Sequence, residues 1–202
     1  MTPRKYQMGR RISAVEETKG RIIMATFELH NEQGVAATTL ADVARRADVA
    51  LGTVYKHFAS VDDLVMGCAG RVASLLDAPG LSIFDDLVSV EDRVAALVRE
   101  RFAMYERGAR QIWVARCEQD RVAALRGWAD HDAASHSALV RAALRTVTPN
   151  AAAIQGALAL TDFYVWKAFH EKGVPTQQAT VIITAAVLTR IAGAVAPKGN
   201  MP

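Results

Sequence analysis

The chain has 202 residues, of which 51% are apolar, and a formal net charge of +3; such a chain can bury a real core, which excludes disorder as its main state. So small a net charge does not by itself point to nucleic acid, although the sequence pI near 9.0 is compatible with that partner. Cys68 and Cys117 lie far apart without CxxC spacing, which argues against a metal or redox motif and suits two buried fillers in a reducing cytoplasm.

The N-terminus carries charge and lacks an apolar h-region. The longest charge-free stretch, between Lys172 and Arg190, is interrupted by Pro175, Thr176, Gln177 and Gln178. Neither a signal peptide nor a membrane span is expected. Apolar residues recur at spacings of three and four nearly everywhere, without the sustained alternation of a half-buried strand. The chain should be all-α, with about nine helices.

Residues 1–14 form a basic arm in which Arg4, Lys5, Arg10 and Arg11 precede the first acid, Glu16. That pattern suits either a flexible tail lying along phosphates or a merely solvated one. A first helix follows from about Val15 to Gln33, with Ile22, Ile23, Ala25, Phe27 and Leu29 as its inner surface and Gly34 as its stop. Thr38 or Thr39 caps the next helix, in which Leu40, Val43, Ala44 and Ala47 make one apolar stripe. The chain then turns through Asp48 and Val49 into a third helix ending at Phe58, and Ser60 with Asp63 forms a capping box for a fourth reaching Leu76. Residues 77–81, with Pro79 and Gly80, mark a domain boundary. Beyond it, helices are expected at about 89–107, 109–117, 120–147, 150–172 and 177–195.

The segment "TTLADVARRADVALGTVYKHF" carries the functional signal. In a helix-turn-helix the first helix crosses the DNA backbone and the second presents its N-terminal side chains to the major groove, so the pair needs a short turn and a shared apolar seam. Leu40, Val43, Ala44, Val49, Val54 and Phe58 supply the seam, which leaves Leu51, Gly52, Thr53, Tyr55, Lys56 and His57 facing outward. Gly52 costs about 1 kcal/mol against alanine in a helix, and close approach of backbone to DNA compensates for it. Thr53, Tyr55 and His57 can donate to phosphates, Lys56 adds charge, and Leu51 can touch a thymine methyl.

On these residues Ile22–Leu64 resembles the DNA-binding domain of the tetracycline-repressor (TetR) family. The family's apolar first helix, glycine, "TT" cap, "GTxYxHF" recognition helix and Ser-capped fourth helix stand here as "RIIMATFEL", Gly34, "TTLADVA", "GTVYKHF" and "SVDDL". The departures are Asp48 where the family has glycine, Ala50 where it has serine, and Leu51 and Val61 where it has lysine. Two customary phosphate-binding cations are therefore missing, which gives more weight to Arg10 and Arg11 in the arm. Thr39 joins the DNA-contacting set by the resemblance. The late aromatic of the family's first helix is His30 here, read as a satisfied core or interface histidine.

The resemblance implies two domains: residues 15–77 bind DNA through a motif at about 39–58, and residues 83–196 bind a small-molecule effector and pair with a second copy through the last two helices. "AIQGALALTDFYVWKAF" and "ATVIITAAVLTRIAGAV" are apolar around too much of their circumference for a monomer surface. Candidate pocket residues are Trp113, Arg116, Trp128, His131, Asp162 and Trp166, although tryptophans are more often plain core than pocket walls. Asp162 shares a helical face with Leu158, Val165, Trp166 and Phe169, so it meets a ligand, a dimer partner or solvent.

His131 and His136 are about 140° apart around one helix and do not make a helical metal pair. Ser135 and Ser137 lack a positioned base partner, and no strand precedes a glycine-rich phosphate loop. The expectation is therefore a cytoplasmic, homodimeric, effector-released repressor of double-stranded operator DNA, without catalytic residues, metal or cofactor. A helical carrier or enzyme retaining a structural helix-turn-helix, and an architectural DNA-binding protein without a ligand, are the alternatives.

Overall fold

In the computed structural model, residues 4–194 are described, with side chains from 13 to 193. The described chain is helical throughout, without strands: α1 (Arg4–Gln33), α2 (Leu40–Arg46), α3 (Leu51–His57), α4 (Val61–Leu76), a single 3-10 turn (Leu81–Phe84), α5 (Val90–Arg107), α6 (Ala109–Glu118), α7 (Ala123–Ala143), α8 (Ala151–Leu160), α9 (Phe163–Glu171) and α10 (Thr176–Ala194).

Two differences from the expected helices have local causes. Helix α1 begins at Arg4, so the arm expected over 1–14 is helical backbone from Arg4 onward; between Arg4 and Gln33 the chain contains no proline, and its glycines cost less than a break would. The side chains of Arg10 and Arg11 lie outside the described residues. The single helix expected over 150–172 is two, α8 and α9, because the Asp162 carboxylate accepts the Tyr164 amide at 3.0 Å and caps a new helix. That split adds one α-helix to the about nine expected.

The chain forms two compact units. One is the N-terminal part through Ser74 together with Arg110–Ala129; the other is Leu75–Ala109 together with the chain from Asp130 on. The expected boundary near residue 77 is close to the first crossing. Residues 110–129, assigned from sequence to the second domain, pack instead with the helix-turn-helix. The reason is an apolar cluster in which Val114, Ala115, Val122 and Leu125 close around Val35, with Val61, Val65 and Trp128 at its edge.

In the second unit α5 is the central helix. Val94, Leu97, Val98, Phe102 and Tyr105 are fully buried, and α5 packs on α10, α9 and the 3-10 turn, while α8 packs on α10. Two buried arginines on α5 were not anticipated. Arg93 donates to the carbonyls of Phe84, Leu87 and Ala142, which satisfies the ends of the 3-10 turn and α7. Arg101 pairs with Asp132 at 2.8 Å and donates to the Tyr105 hydroxyl. Tyr105 in turn donates to the Thr161 carbonyl, and the Thr161 hydroxyl donates to Ala157 and meets His136 Nε2 at 2.7 Å. Burial raises the Tyr105 hydroxyl well above its ordinary range, so it stays protonated and donates. Trp166 lies in the same core, 1% exposed, stacked on His170 at 4.8 Å.

The segment Val61–Phe84 reaches a mean hydropathy of 1.2, long and apolar enough on those measures to cross a membrane. Its helix, α4, has 16 residues and stops at Leu76, short of the roughly 20 that a span requires.

Asp132→Ala leaves the Arg101 guanidinium in the core without its counter-ion, and the expected cost is about 3 kcal/mol. Urea unfolding monitored by the core tryptophan fluorescence measures it; a change below a few tenths of a kcal/mol would contradict the reading of this pair.

Candidate nucleic-acid interface

The candidate interface is built from two short helices, α2 and α3, held by one seam against α1 and α4. Ile22, Ala25 and Leu29 of α1, Val43, Ala44 and Ala47 at α2, Val54 of α3, Phe58, and Leu64 of α4 form one buried cluster, with Ile23, Leu40 and Val49 packed against it. Gly67 of α4 makes room for the Phe58 ring, since a Cβ there would stand 2.6 Å from it. The seam residues named from sequence are those that meet.

Of the two candidate caps, Thr39 is the one used. Its hydroxyl accepts the Asp42 amide at 3.1 Å and the Asp42 carboxylate accepts the Thr39 amide at 3.2 Å, a reciprocal capping box. The Thr39 hydroxyl and amide, with Arg45, hold the Asp42 carboxyl below its ordinary range. Thr38 is buried, and its hydroxyl donates to the Gly34 carbonyl at 2.7 Å. At α4 the expected box is shifted: Ser60 accepts the Asp63 amide, but the Asp63 carboxylate accepts the amide of Ala59.

The turn between α2 and α3 passes through Asp48, whose φ of 52° lies in the left-handed region. Aspartate tolerates that region better than most residues, though less well than glycine. The turn closes with the Val49 amide donating to Ala44 and an Arg21 guanidinium donating to Ala47. Ala50 gives α3 no side-chain cap.

The outer face of α3 is bare. Leu51 is 41% and Tyr55 54% exposed; Gly52 and Lys56 are exposed, and Thr53 and His57 are half-buried. A Cβ at Gly52 would meet nothing within 4 Å, so nothing in this fold requires glycine there. The cations of α2 are already engaged: Arg46 pairs with Glu28 and Glu32, and Arg45 with Asp42.

His30 corrects one expectation. It is not satisfied, because its buried Nε2 has no hydrogen-bond partner, and burial lowers its pKa to about 4. It is therefore a neutral ring against the core. Cys68 is buried as expected, and burial pushes its thiol up to about 11, whereas Cys117 is exposed.

The candidate pocket residues are divided between the two units. Trp113, Arg116 and Trp128 belong to the first unit, and His131, Asp162 and Trp166 to the second. Trp128 packs against the Val35 cluster, Trp166 is core, His131 is exposed, and Asp162 is a helix cap. Sequence reasoning passed over Glu118, whose carboxylate accepts two loop amides, and the buried Arg101, Tyr105, Thr161 and His136 network; a lone arginine or glutamate in an amphipathic helix gives no signal of its partner. Among the described residues no group of three or more His, Cys, Asp or Glu could hold a metal.

Fold and site together define a two-unit helical protein with a helix-turn-helix whose second helix shows an unpartnered face. Residues 22–66 match the family described as "Bacterial regulatory proteins, tetR family". The chain is 40% identical over 65 residues to the HTH-type transcriptional repressor KstR of Mycobacterium tuberculosis (strain ATCC 25618 / H37Rv), covering 32% of this chain and 30% of that protein. It is 41% identical over 51 residues to the HTH-type transcriptional regulator HbdR of Aromatoleum sp. (strain CIB), covering 25% and 22%. The chain thus spans about a third or less of the curated relatives named here. The fold extends further: a multidrug binding protein, EbrR, solved with imidazole, superposes with a TM-score of 0.59 at 20% identity, covering 92% of this chain and 93% of that one. A transcriptional regulator from Rhodococcus sp. Rha1 gives a TM-score of 0.61 at 19% identity, with coverage of 87% and 97%.

Asp48→Gly removes the left-handed penalty of a side chain at φ 52° and is expected to stabilise the first unit by about 0.5–1 kcal/mol, with Asp48→Ala destabilising it by a similar amount. Thermal unfolding of both variants tests this; an unchanged Asp48→Gly protein would mean that the Asp48 side chain already offsets its own strain.

Proposed function

We propose that the protein is a homodimeric, effector-responsive transcriptional repressor that reads double-stranded operator DNA with α3. The observation that carries this is the outer face of α3, where Leu51 and Tyr55 stand exposed on a helix whose opposite side is the Val54 seam. An apolar and a phenolic side chain held in water without a partner on so short an element suit insertion into a major groove, with Thr53, Lys56, His57 and Thr39 near phosphates. Gly52 adds close backbone approach. The names of KstR as a transcriptional repressor and HbdR as a transcriptional regulator support the same reading.

The DNA-binding domain is residues 15–77, supported by the packed segment 110–129, and the effector and dimer domain comprises the second unit. Within that unit His131, which is exposed, and Asp162 are the polar groups proposed to meet an effector. The name of EbrR as a multidrug binding protein supports a small-molecule role for this fold. A second copy pairs through the last helices: α10 exposes Val181 at 66% and Ile182 at 44%, beside the alanine-rich outer face of α8. The proposed DNA partner is in keeping with a cytoplasmic protein. Catalysis forms no part of this reading.

Selection of duplexes from a random library by the purified protein tests the DNA reading directly. On a selected duplex, Tyr55→Phe should weaken binding by roughly 0.5–1.5 kcal/mol regardless of sequence, the net value of one hydrogen bond. Leu51→Ala should relax preference at one base pair while leaving the fold intact. If Leu51→Ala instead lowered the melting temperature and kept the base preference, α3 would be in a different register.

For the dimer, Ile182→Arg buries an unpaired charge in the interface and should give a folded monomer by sedimentation at micromolar concentration. A variant that remains dimeric would move the interface off α10.

A further inference from the structure

The loop that joins α1 to α2 is held from outside the helix-turn-helix. Gly34, at φ +91°, turns the chain out of α1, and the next two amides, Val35 N and Ala36 N, both donate to Glu118 Oε2, at 2.8 and 2.7 Å. A Cβ on residue 34 would stand 2.3 Å from Glu118 Oε1, so the carboxylate is seated against the bare α-carbon. The other end of α6 is fixed to α1 as well, with Arg110 Nε donating to the Asn31 carbonyl at 2.9 Å and Gln111 to the Asn31 side chain at 2.7 Å. Val35 is buried in the cluster made by Val114 and Ala115, and Thr38 closes the loop on Gly34. The next residue is Thr39, the cap on which α2 starts.

We propose that Glu118 is a positioning residue for sequence-specific DNA recognition: its carboxylate fixes the Gly34–Ala36 loop and thereby the place from which α2 and then α3 depart. The role rests on the reading of α3 as the DNA-reading helix. Two charge-assisted hydrogen bonds to adjacent amides define the loop in a way that a single neutral bond does not. Without the carboxylate the Val35 amide, on a buried residue, loses its partner, and the loop has alternatives that move Thr39.

The sign of the expected effect separates positioning from simple electrostatics. Removing a negative charge from a DNA-binding unit by itself tightens binding to any duplex. Positioning demands the reverse for the correct sequence alone.

The test uses the full chain and a duplex selected by the wild-type protein, with a scrambled duplex of equal length beside it. Glu118→Ala should bind the selected duplex about tenfold more weakly while its affinity for the scrambled duplex is unchanged or slightly higher. Glu118→Gln, which keeps an acceptor without charge, should fall between. Hydrogen exchange at Val35 and Ala36 should accelerate in both variants. Equal loss on both duplexes, or no loss with the two amides deprotected, would overturn the role. If Glu118→Ala does not fold, Glu118→Gln carries the comparison, and an unchanged ratio of selected to scrambled affinity would overturn it in the same way. A wild-type protein that selects no duplex overturns the DNA reading itself, and this role with it.

Discussion

A helix of seven residues has almost no stability of its own in water, because nucleation costs more than its few hydrogen bonds return. Helix α3 therefore exists only through the burial of Val54 and Phe58 against Ile22, Val43 and Leu64. That constraint decides what the rest of α3 can do. Two positions are consumed by the seam, the turn at Asp48 fixes where the helix begins, and every other side chain is left on the far side. The exposed face is what remains once a very short helix has used its single route to stability.

The same logic of holding short elements from outside recurs in the polar contacts. Neither α2 nor α3 can orient itself, so Thr39 with Asp42, Arg21 on Ala47, and Glu118 on Val35 and Ala36 fix termini and loops. The Asp62 carboxylate does likewise for the Ala124 amide at the start of α7. In the second unit the helices are longer and apolar contact suffices for their form. There the buried Arg93 is spent on the carbonyls of Phe84, Leu87 and Ala142 and Arg101 on Asp132 and Tyr105, which selects a single arrangement of helices that apolar packing alone leaves degenerate.

The periodic parts of this structure were legible in the sequence. The stripe Leu40, Val43, Ala44, Ala47 located α2, and the outward set from Leu51 to His57 followed from removing Val54 and Phe58 from a helix of known start. The missed features have two causes. Asp162 was read by helical spacing as part of one long face, but an aspartate whose carboxylate can accept an amide two residues on competes with helix continuation, and capping won. The other misses depend on residues distant in sequence: nothing local to Glu118 says that its carboxylate meets residue 35, and nothing local to Arg101 reveals Asp132. Residues 110–129 were placed in the wrong unit for this reason, since their partner is Val35 and the α1 terminus.

On the proposed reading of α3 as the DNA-contacting helix, the charge around it suits discrimination more than grip. Leu51 and Val61 stand where the resembled family has lysine, and of the arginines on α2 one pairs with Asp42 and the other with Glu28 and Glu32. Such exposed pairs add little stability, but they withdraw two cations from the phosphate backbone, where each would have contributed sequence-independent affinity through counter-ion release. What α3 itself offers is Lys56, hydroxyl and imidazole donors, and the apolar Leu51. With the share of the sequence-independent term that α2 and α3 supply reduced, more of what these two helices contribute has to come from contacts at base edges and from the placement of α3. Under those conditions the loop from Gly34 to Thr38 matters more than in a protein with a dense field of phosphate-binding lysines, because a small displacement of α3 is not offset by unspecific attraction.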